Sequence, residues 1–309
     1  MLVWIPHDFG PSLMGEIPAG VECEVWNGSG GFDDLPASAS RVEVYVPPFL
    51  STGAPASVMA KLPSLRYVQL LSAGADAYVP LVPPAVTLCD AQGVHSSPTA
   101  EWVATVVLAM EREIPGFVRA QDDGRWSHHQ TPELAGKTVL ILGHGDIGAA
   151  IESRLAPFDV AFLRVARTAR PDADVFGTID LDDLLPHSDV VVVIVPLTAN
   201  TRGLVDAAFL AAMRPGALLV NAARGPVVDT DALVAALQAG KIRAAVDVTD
   251  PEPLPAGHPL WSCPGLLITP HIAGSVPGTW RRAYGLVGEQ LRRYVAGQPL
   301  RGVVGDAGY

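Results

Sequence analysis

Residues 138–156 run TVLILGHGDIGAAIESRLA. Thr138 to Leu142 are apolar or β-branched and read as a short buried strand. Gly143, Gly145 and Gly148 follow in G-x-G-x-x-G spacing, and 147–155 carries apolar residues at helical period. Strand, glycine turn and helix in that order form the cradle of a dinucleotide pyrophosphate. The first glycine permits the tight turn, the second lets the backbone approach the phosphates, and the third lets the helix close on the strand. The N–H groups at Asp146 and Ile147 open the helix and meet the anion with a positive dipole end. A chain with 30 glycines matches such spacing easily, so the flanking sequence carries the weight.

Downstream, strand and helix alternate: strands over 160–165, 190–195, 217–221, 244–248 and 266–269, with helices over 206–213 and 230–239. That alternation predicts a parallel sheet with crossover helices, completing a doubly wound nucleotide-binding domain over 98–274. Upstream, 97–114 is predicted as one long helix, capped by Ser97, with Pro98 and Glu101 in its first turn and Pro115-Gly116 ending it. The polar, aromatic connector 124–129 (GRWSHH) follows, its adjacent histidines read as solvated or interface residues rather than metal ligands. Before the helix, strands are predicted over 2–5, 42–46 and 67–71, the last running into Ser72-Ala73-Gly74-Ala75-Asp76. The expected organisation is a first segment, 1–97, interrupted by the nucleotide domain. A C-terminal helix within 275–309 returns to that segment, so the first domain is discontinuous.

Forty-nine per cent apolar and 17% charged residues supply two folded cores rather than a disordered chain. A net charge of −11 argues against nucleic acid or an anionic membrane as partner. Cys23, Cys89 and Cys263 are odd in number and lack metal spacing. They predict reduced thiols, a cytoplasmic setting and no metal site.

Three polar residues stand just past predicted strands: Arg224 in NAARGPVVD, Glu252 in DVTDPEPLP and His271 in ITPHIAG. Loops at the carboxyl ends of parallel strands converge on the ligand crevice. Each alone reads as an ordinary surface or core residue. All three at strand ends of one nucleotide domain read as a catalytic set.

With these motifs, and with LSAGAD (71–76), TAEWVATVVLAM (99–110) and PLTANTRGLVD (196–206), the chain resembles the D-2-hydroxyacid dehydrogenase family along nearly its whole length. The resemblance implies a fold of two doubly wound α/β domains and a hydride exchange between NAD(P)H and a small 2-keto or D-2-hydroxy acid. It implies His271 as the acid/base, Glu252 as its partner and Arg224 as the cation for the substrate carboxylate, with Ser72, Ala73 and Gly74 on the same carboxylate. Cofactor contacts fall by resemblance at the glycine turn, at Pro196 and Ala222, and at Asp247, expected on the nicotinamide carboxamide. Glu252 separates the chain from formate dehydrogenases, which are similar but carry Gln there. A homodimer is implied, built on the helix over 97–114 and the connector through Trp126. The alternative within the same fold is a corepressor-like protein that senses dinucleotide without turnover.

One departure bears on the cofactor. The acid that usually binds the ribose 2′-hydroxyl, about 20 residues past the glycines, is replaced by Ala166, with Arg164, Arg167 and Arg170 around it. Arginine attracts a 2′-phosphate that an acid would repel, so NADP(H) is expected over NAD(H). Which keto acid is reduced stays open between glyoxylate, hydroxypyruvate and bulkier aromatic or branched acids, because loops near 50, 74 and 280 shape the pocket.

Overall fold

The computed structural model describes residues 1–28, 33–49 and 54–305. The chain divides into two compact units, Met1–His95 with Pro277–Tyr309, and Ser96–Val276. Each is an α/β layer structure with one all-parallel sheet among the described residues.

The larger unit contains β6 (Thr138–Leu142), β7 (Ala161–Ala166), β8 (Val175–Gly177), β9 (Val190–Val193), β10 (Leu218–Asn221), β11 (Arg243–Val246) and β12 (Leu266–Ile268). Their order in the sheet is β12-β11-β10-β9-β6-β7-β8. From β6 the chain first builds outward through β7 and β8, then crosses back to β9 beside β6. That reversal opens the ligand crevice of a doubly wound fold. Because helices cover both faces, the central strands are apolar throughout: VVVV in β9 is buried at every position. Leu140, Leu142, Val191, Val193 and Leu219 point into one core. Their alternate neighbours Val139, Ile141, Val190, Val192 and Leu218 point into the other, under the helices Ser96–Glu111 and Asp146–Leu155.

The smaller unit orders β1 (Leu2–Ile5), β2 (Glu22–Val25), β3 (Val42–Tyr45), β4 (Tyr67–Gln69) and β5 (Thr87–Cys89) as β2-β1-β3-β4-β5. The C-terminal helix Thr279–Val295 lays Ala283, Tyr284, Val287 and Leu291 on Val3, Ile5, Val44 and Tyr67 of this sheet. The first unit is therefore discontinuous in sequence.

Two expectations need correction. The helix over 97–114 ends at Glu111, and a second helix, Ile114–Asp122, starts beyond a left-handed residue, Glu113 (φ +53). Pro115 sits in the first turn of that second helix, where its missing N–H costs nothing, so it begins a helix rather than ending one. Ser97 does not cap: it is already helical, and its hydroxyl accepts from Arg154 Nη2 at 2.8 Å. The turn at Glu111 has its own anchor. This fully buried carboxylate pairs with Lys137 and with Arg243 (Nη2–Oε1 2.7 Å), tying the helix end to β6 and β11. Strands β2, β5 and β8 were not predicted. Residues 50–53, part of the loop near 50, lie outside the described residues. Among the described residues, no helix is long and apolar enough to cross a membrane.

Candidate active site

The glycine turn leaves the carboxyl end of β6 beside that of β9. Gly143 has φ +113, and a Cβ there would fall 2.6 Å from the carbonyl oxygen of Ile194, so both conformation and packing require glycine. A Cβ at Gly148 would fall 2.4 Å from the Gly143 carbonyl oxygen, which is the close helix–strand approach expected of the third glycine. At Gly145 a Cβ would meet no protein atom within 4 Å. That space is not needed by the protein, and it adjoins the first N–H groups of the helix at Asp146 and Ile147. Asp146 points its side chain outward, leaving its N–H as the group suited to an anion. The cradle therefore fits a dinucleotide pyrophosphate. Pro196 and Ala222 follow β9 and β10 at the same edge, half-buried. The Pro196 carbonyl is fixed by the Thr201 hydroxyl (2.6 Å), and Ala222 N–H donates to Val193 (3.1 Å).

The cationic segment is tied to the glycine turn and its helix. Arg164 is turned into the protein: its guanidinium donates twice to Glu152 (Nε–Oε2 2.7 Å, Nη2–Oε1 2.6 Å) and once to Asp174 (3.0 Å). All three of its nitrogens thus have partners within the protein. Glu152 also accepts from His144 Nε2 (2.8 Å), and the hydrogen bonds from Arg164, with that from His144, hold its carboxyl below the usual range. Arg170 donates to the His144 carbonyl (2.8 Å), which fastens the 167–170 segment to the glycine turn. Ala166 closes β7 with no acid at that position.

Arg224, Glu252 and His271 follow the carboxyl ends of β10, β11 and β12. The Arg224 turn is shaped by Asn221, 1% exposed, whose amide donates to the Arg224 carbonyl (3.2 Å) and whose Oδ1 accepts from Ala223 N–H (3.0 Å). Next in the chain, Gly225 leaves no room for a side chain: a Cβ would lie 1.9 Å from the Thr249 carbonyl oxygen. That contact, with Thr230 Oγ1 donating to the Asp250 carbonyl (2.8 Å), brings the Arg224 turn against the segment that leads into Glu252. Arg224 Nη1 donates to the Ala223 carbonyl at 2.8 Å, and its side chain is half-buried.

His271 Nδ1 lies 2.6 Å from Glu252 Oε1. A carboxylate only accepts, so Nδ1 carries the hydrogen and Nε2 is the nitrogen that can exchange a proton with a ligand. His271 itself has φ +54, uncommon for a side-chain-bearing residue. The conformation is held by Asp247, 3% exposed. The Asp247 main-chain carbonyl accepts from His271 N–H (2.7 Å). One carboxylate oxygen accepts from Thr269 Oγ1 (2.5 Å) and Ile272 N–H (2.9 Å), and the other from Ala273 N–H (2.8 Å). Asp247 is thus the mould of the histidine loop. A buried acid directly after a strand, in DVTD, was the available signal. The structuring roles of Asn221, Gly225 and Glu152 were likewise missed.

In the smaller unit, residues 71–76 follow β4. Ser72 Oγ donates to the Gly74 carbonyl (3.0 Å), and the Ser72 carbonyl accepts from Ala91 N–H (2.9 Å). The turn therefore has a fixed backbone, with Ala73 and Gly74 half-buried.

A glycine cradle at the reversal of a parallel sheet, with an imidazole–carboxylate pair at the carboxyl edge of the same sheet, defines a dinucleotide-dependent protein of the doubly wound class. The sequence profile described as D-isomer specific 2-hydroxyacid dehydrogenase, NAD binding domain, matches residues 104–273. A glyoxylate reductase of Thermofilum pendens is 36% identical over 258 residues, 79% of this chain and 76% of that one. Among solved structures, a D-isomer specific 2-hydroxyacid dehydrogenase of Xanthobacter autotrophicus Py2, in complex with NADPH and MES, superposes with TM-score 0.85 at 34% identity, covering 98% and 97% of the two chains. An NADPH-dependent glyoxylate/hydroxypyruvate reductase of Sinorhizobium meliloti, in complex with NADP and malonate, gives 0.82 at 27% identity, covering 100% of this chain and 98% of that one. The chain belongs to the D-isomer specific 2-hydroxyacid dehydrogenase family. It is an oxidoreductase that works with a nicotinamide dinucleotide.

Proposed function

We propose that the protein reduces a 2-keto acid to the D-2-hydroxy acid with NADPH, using His271 as proton donor, Glu252 to orient it and Arg224 to bind the substrate carboxylate. The observation that carries this reading is the 2.6 Å contact between His271 Nδ1 and Glu252 Oε1 at the carboxyl edge of the sheet. Residues 143–148, with Pro196 and Ala222, would hold the cofactor. Bound there, a reduced nicotinamide supplies the hydride to the keto carbon. As hydride arrives, negative charge grows on the carbonyl oxygen, and imidazolium at His271 gives that oxygen the Nε2 proton while stabilising the charge. The balance is keto acid plus NADPH plus one proton to hydroxy acid plus NADP⁺. Glu252 holds the ring by Nδ1 and so keeps Nε2 as the exchanging nitrogen. Arg224 offers a planar fork that matches a carboxylate in two bonds, and the backbone at Ser72, Ala73 and Gly74 offers N–H donors of the kind a carboxylate takes.

The preference for NADPH is supported by Ala166 in place of an acid and by Arg167 and Arg170 beside it. The complexes of the Xanthobacter and Sinorhizobium relatives with NADPH and NADP point the same way. The test is a keto-acid panel followed at 340 nm with NADH and NADPH separately. The expected result is turnover with higher kcat/KM for NADPH, and Arg167→Ala should erode that preference by roughly 1.5–3 kcal/mol. Equal efficiency with both cofactors in the parent would overturn the preference, and no turnover with any keto acid would overturn the reaction.

The reading extends to a homodimer in the cytoplasm. Free Cys23, Cys89 and Cys263 fit a reducing compartment. Trp126 is 96% exposed, and Ile114 and Val118 on the neighbouring helix are half exposed, an apolar patch suited to a second copy.

A further inference from the structure

The smaller unit has a crevice of its own. In its sheet the chain builds from β1 to β2 and then crosses back to β3, so the reversal lies between β1 and β3, where an open parallel sheet receives ligands at its carboxyl edge. The residues leaving those strand ends are aromatic. His7 and Phe9 follow β1, Phe49 follows β3 and His95 follows β5, while Trp280 and Tyr284 come from the first turns of the C-terminal helix. His7 stacks on Phe9 with ring centroids 4.9 Å apart and meets the edge of Trp280 at 4.7 Å. Phe49 meets Trp280 edge-on at 5.6 Å and lies parallel to His95 at 5.7 Å. These are the offset and edge-to-face distances of interacting rings, and they make one continuous wall.

The wall is fastened to the substrate loop. His95 Nε2 donates to the Leu71 carbonyl at 2.8 Å, one residue before Ser72. Within the wall, His7 Nδ1 is 2.8 Å from the Tyr284 hydroxyl, and burial lowers the His7 pKa, favouring the uncharged ring. Tyr284 and His95 are buried, whereas Phe9 is 40% exposed and His7, Phe49 and Trp280 are half-buried. Phe49 and Trp280 thus pack on the core of the unit while staying part-exposed at its ligand edge, beside the backbone proposed to bind the carboxylate.

We propose that this wall selects a 2-keto acid with an aryl side chain, of which phenylpyruvate is the simplest probe. The inference rests on the keto-acid reduction proposed above. Glyoxylate has only hydrogen at the position where the aryl group would meet the rings. The hydroxymethyl group of hydroxypyruvate has no ring face to stack on the wall.

The test compares phenylpyruvate, glyoxylate and hydroxypyruvate on the parent protein, with whichever nicotinamide cofactor turns over faster. Phenylpyruvate is expected to lead in kcat/KM by about tenfold or more, the scale at which a pocket separates substrates by apolar groups. Phe49→Ala and Trp280→Ala should each lower the phenylpyruvate-to-glyoxylate ratio by about tenfold. Both substrates are measured on one preparation, so loss of folded protein cancels from the ratio. Parity, a lead for either small acid in the parent, or a ratio unmoved in both variants overturns the aryl assignment and leaves keto-acid reduction standing. No turnover of any keto acid overturns the reduction itself, and the assignment with it.

Discussion

His271 combines a left-handed backbone, φ +54, with a side chain held by Glu252. A side-chain-bearing residue in that region costs on the order of 1 kcal/mol, which the three side-chain hydrogen bonds accepted by Asp247 offset. The result is an imidazole with one nitrogen fixed and the other facing outward. Replacing His271 with Ala should lower kcat by 10²–10⁴ while dinucleotide affinity, read by fluorescence titration, stays within a few-fold. A variant that keeps parental kcat would remove His271 from the proton path. Arg224 makes a different prediction, because its part is geometric. Arg224→Lys keeps the charge but loses the planar fork, so KM for the keto acid should rise and kcat should fall together. Near-parental kinetics with every accepted acid would show that another group binds the carboxylate.

At the scale of elements, the glycine turn, its helix and β7 are joined at one carboxylate. Glu152 accepts from Arg164 on β7 and from His144 in the turn. Those partners lower its pKa from the ordinary 4.5, so the folded state binds this proton more weakly than the unfolded chain does. The pair therefore stabilises the fold above the unfolded pKa, and this contribution disappears as pH falls through the lowered folded value. Glu152→Gln should cost about 1–2 kcal/mol at pH 7 by urea denaturation, and the gap to the parent should shrink between pH 5 and pH 3. A gap constant over that range would sink the assignment. A second junction depends on the absence of a side chain. Gly225 lies where a Cβ would come within 1.9 Å of the Thr249 carbonyl oxygen, so Gly225→Ala forces two backbone segments apart. Destabilisation of about 1–3 kcal/mol is expected, together with a fall in kcat, since Arg224 and Glu252 hang on those two segments. Unchanged melting temperature and activity would mean that the contact gives way without consequence.

The whole chain is two units, each with hydrophobic cores on both faces of a parallel sheet. Among the described residues Trp126, at 96%, is the most exposed of the large apolar side chains. If Trp126, Ile114 and Val118 meet a second copy, the parent should sediment as a dimer at micromolar concentration, and the pair Trp126→Asp and Val118→Asp should shift it toward monomer. A monomeric parent would remove the dimer reading. The neighbouring histidines read as solvated or interface residues divide in the structure: His129 bonds Glu113 at 2.8 Å and stacks on Phe117.

What could be read from the chain alone is what depends on near neighbours in sequence. The positive φ at Gly143, the close packing at Gly148, the buried VVVV of β9 and the strand-end positions of Arg224, Glu252 and His271 all follow from local spacing and hydrophobic period. The short strands β2, β5 and β8 were illegible, and β2 carries no buried face. Pro115 was misread because a proline permits a helix start as readily as it enforces a stop. The fate of Arg164 needed the folded chain most. A row of arginines near the ribose position shows charge but not partners. Glu152 lies twelve residues from Arg164 and meets it only once helix 146–155 packs beside β7. Asp247 likewise becomes the mould of the histidine loop only when β12 pairs with β11 and brings residues 269–273 beside it. Long-range packing decides which polar atoms meet, because a buried carboxylate takes the donors that the fold sets around it.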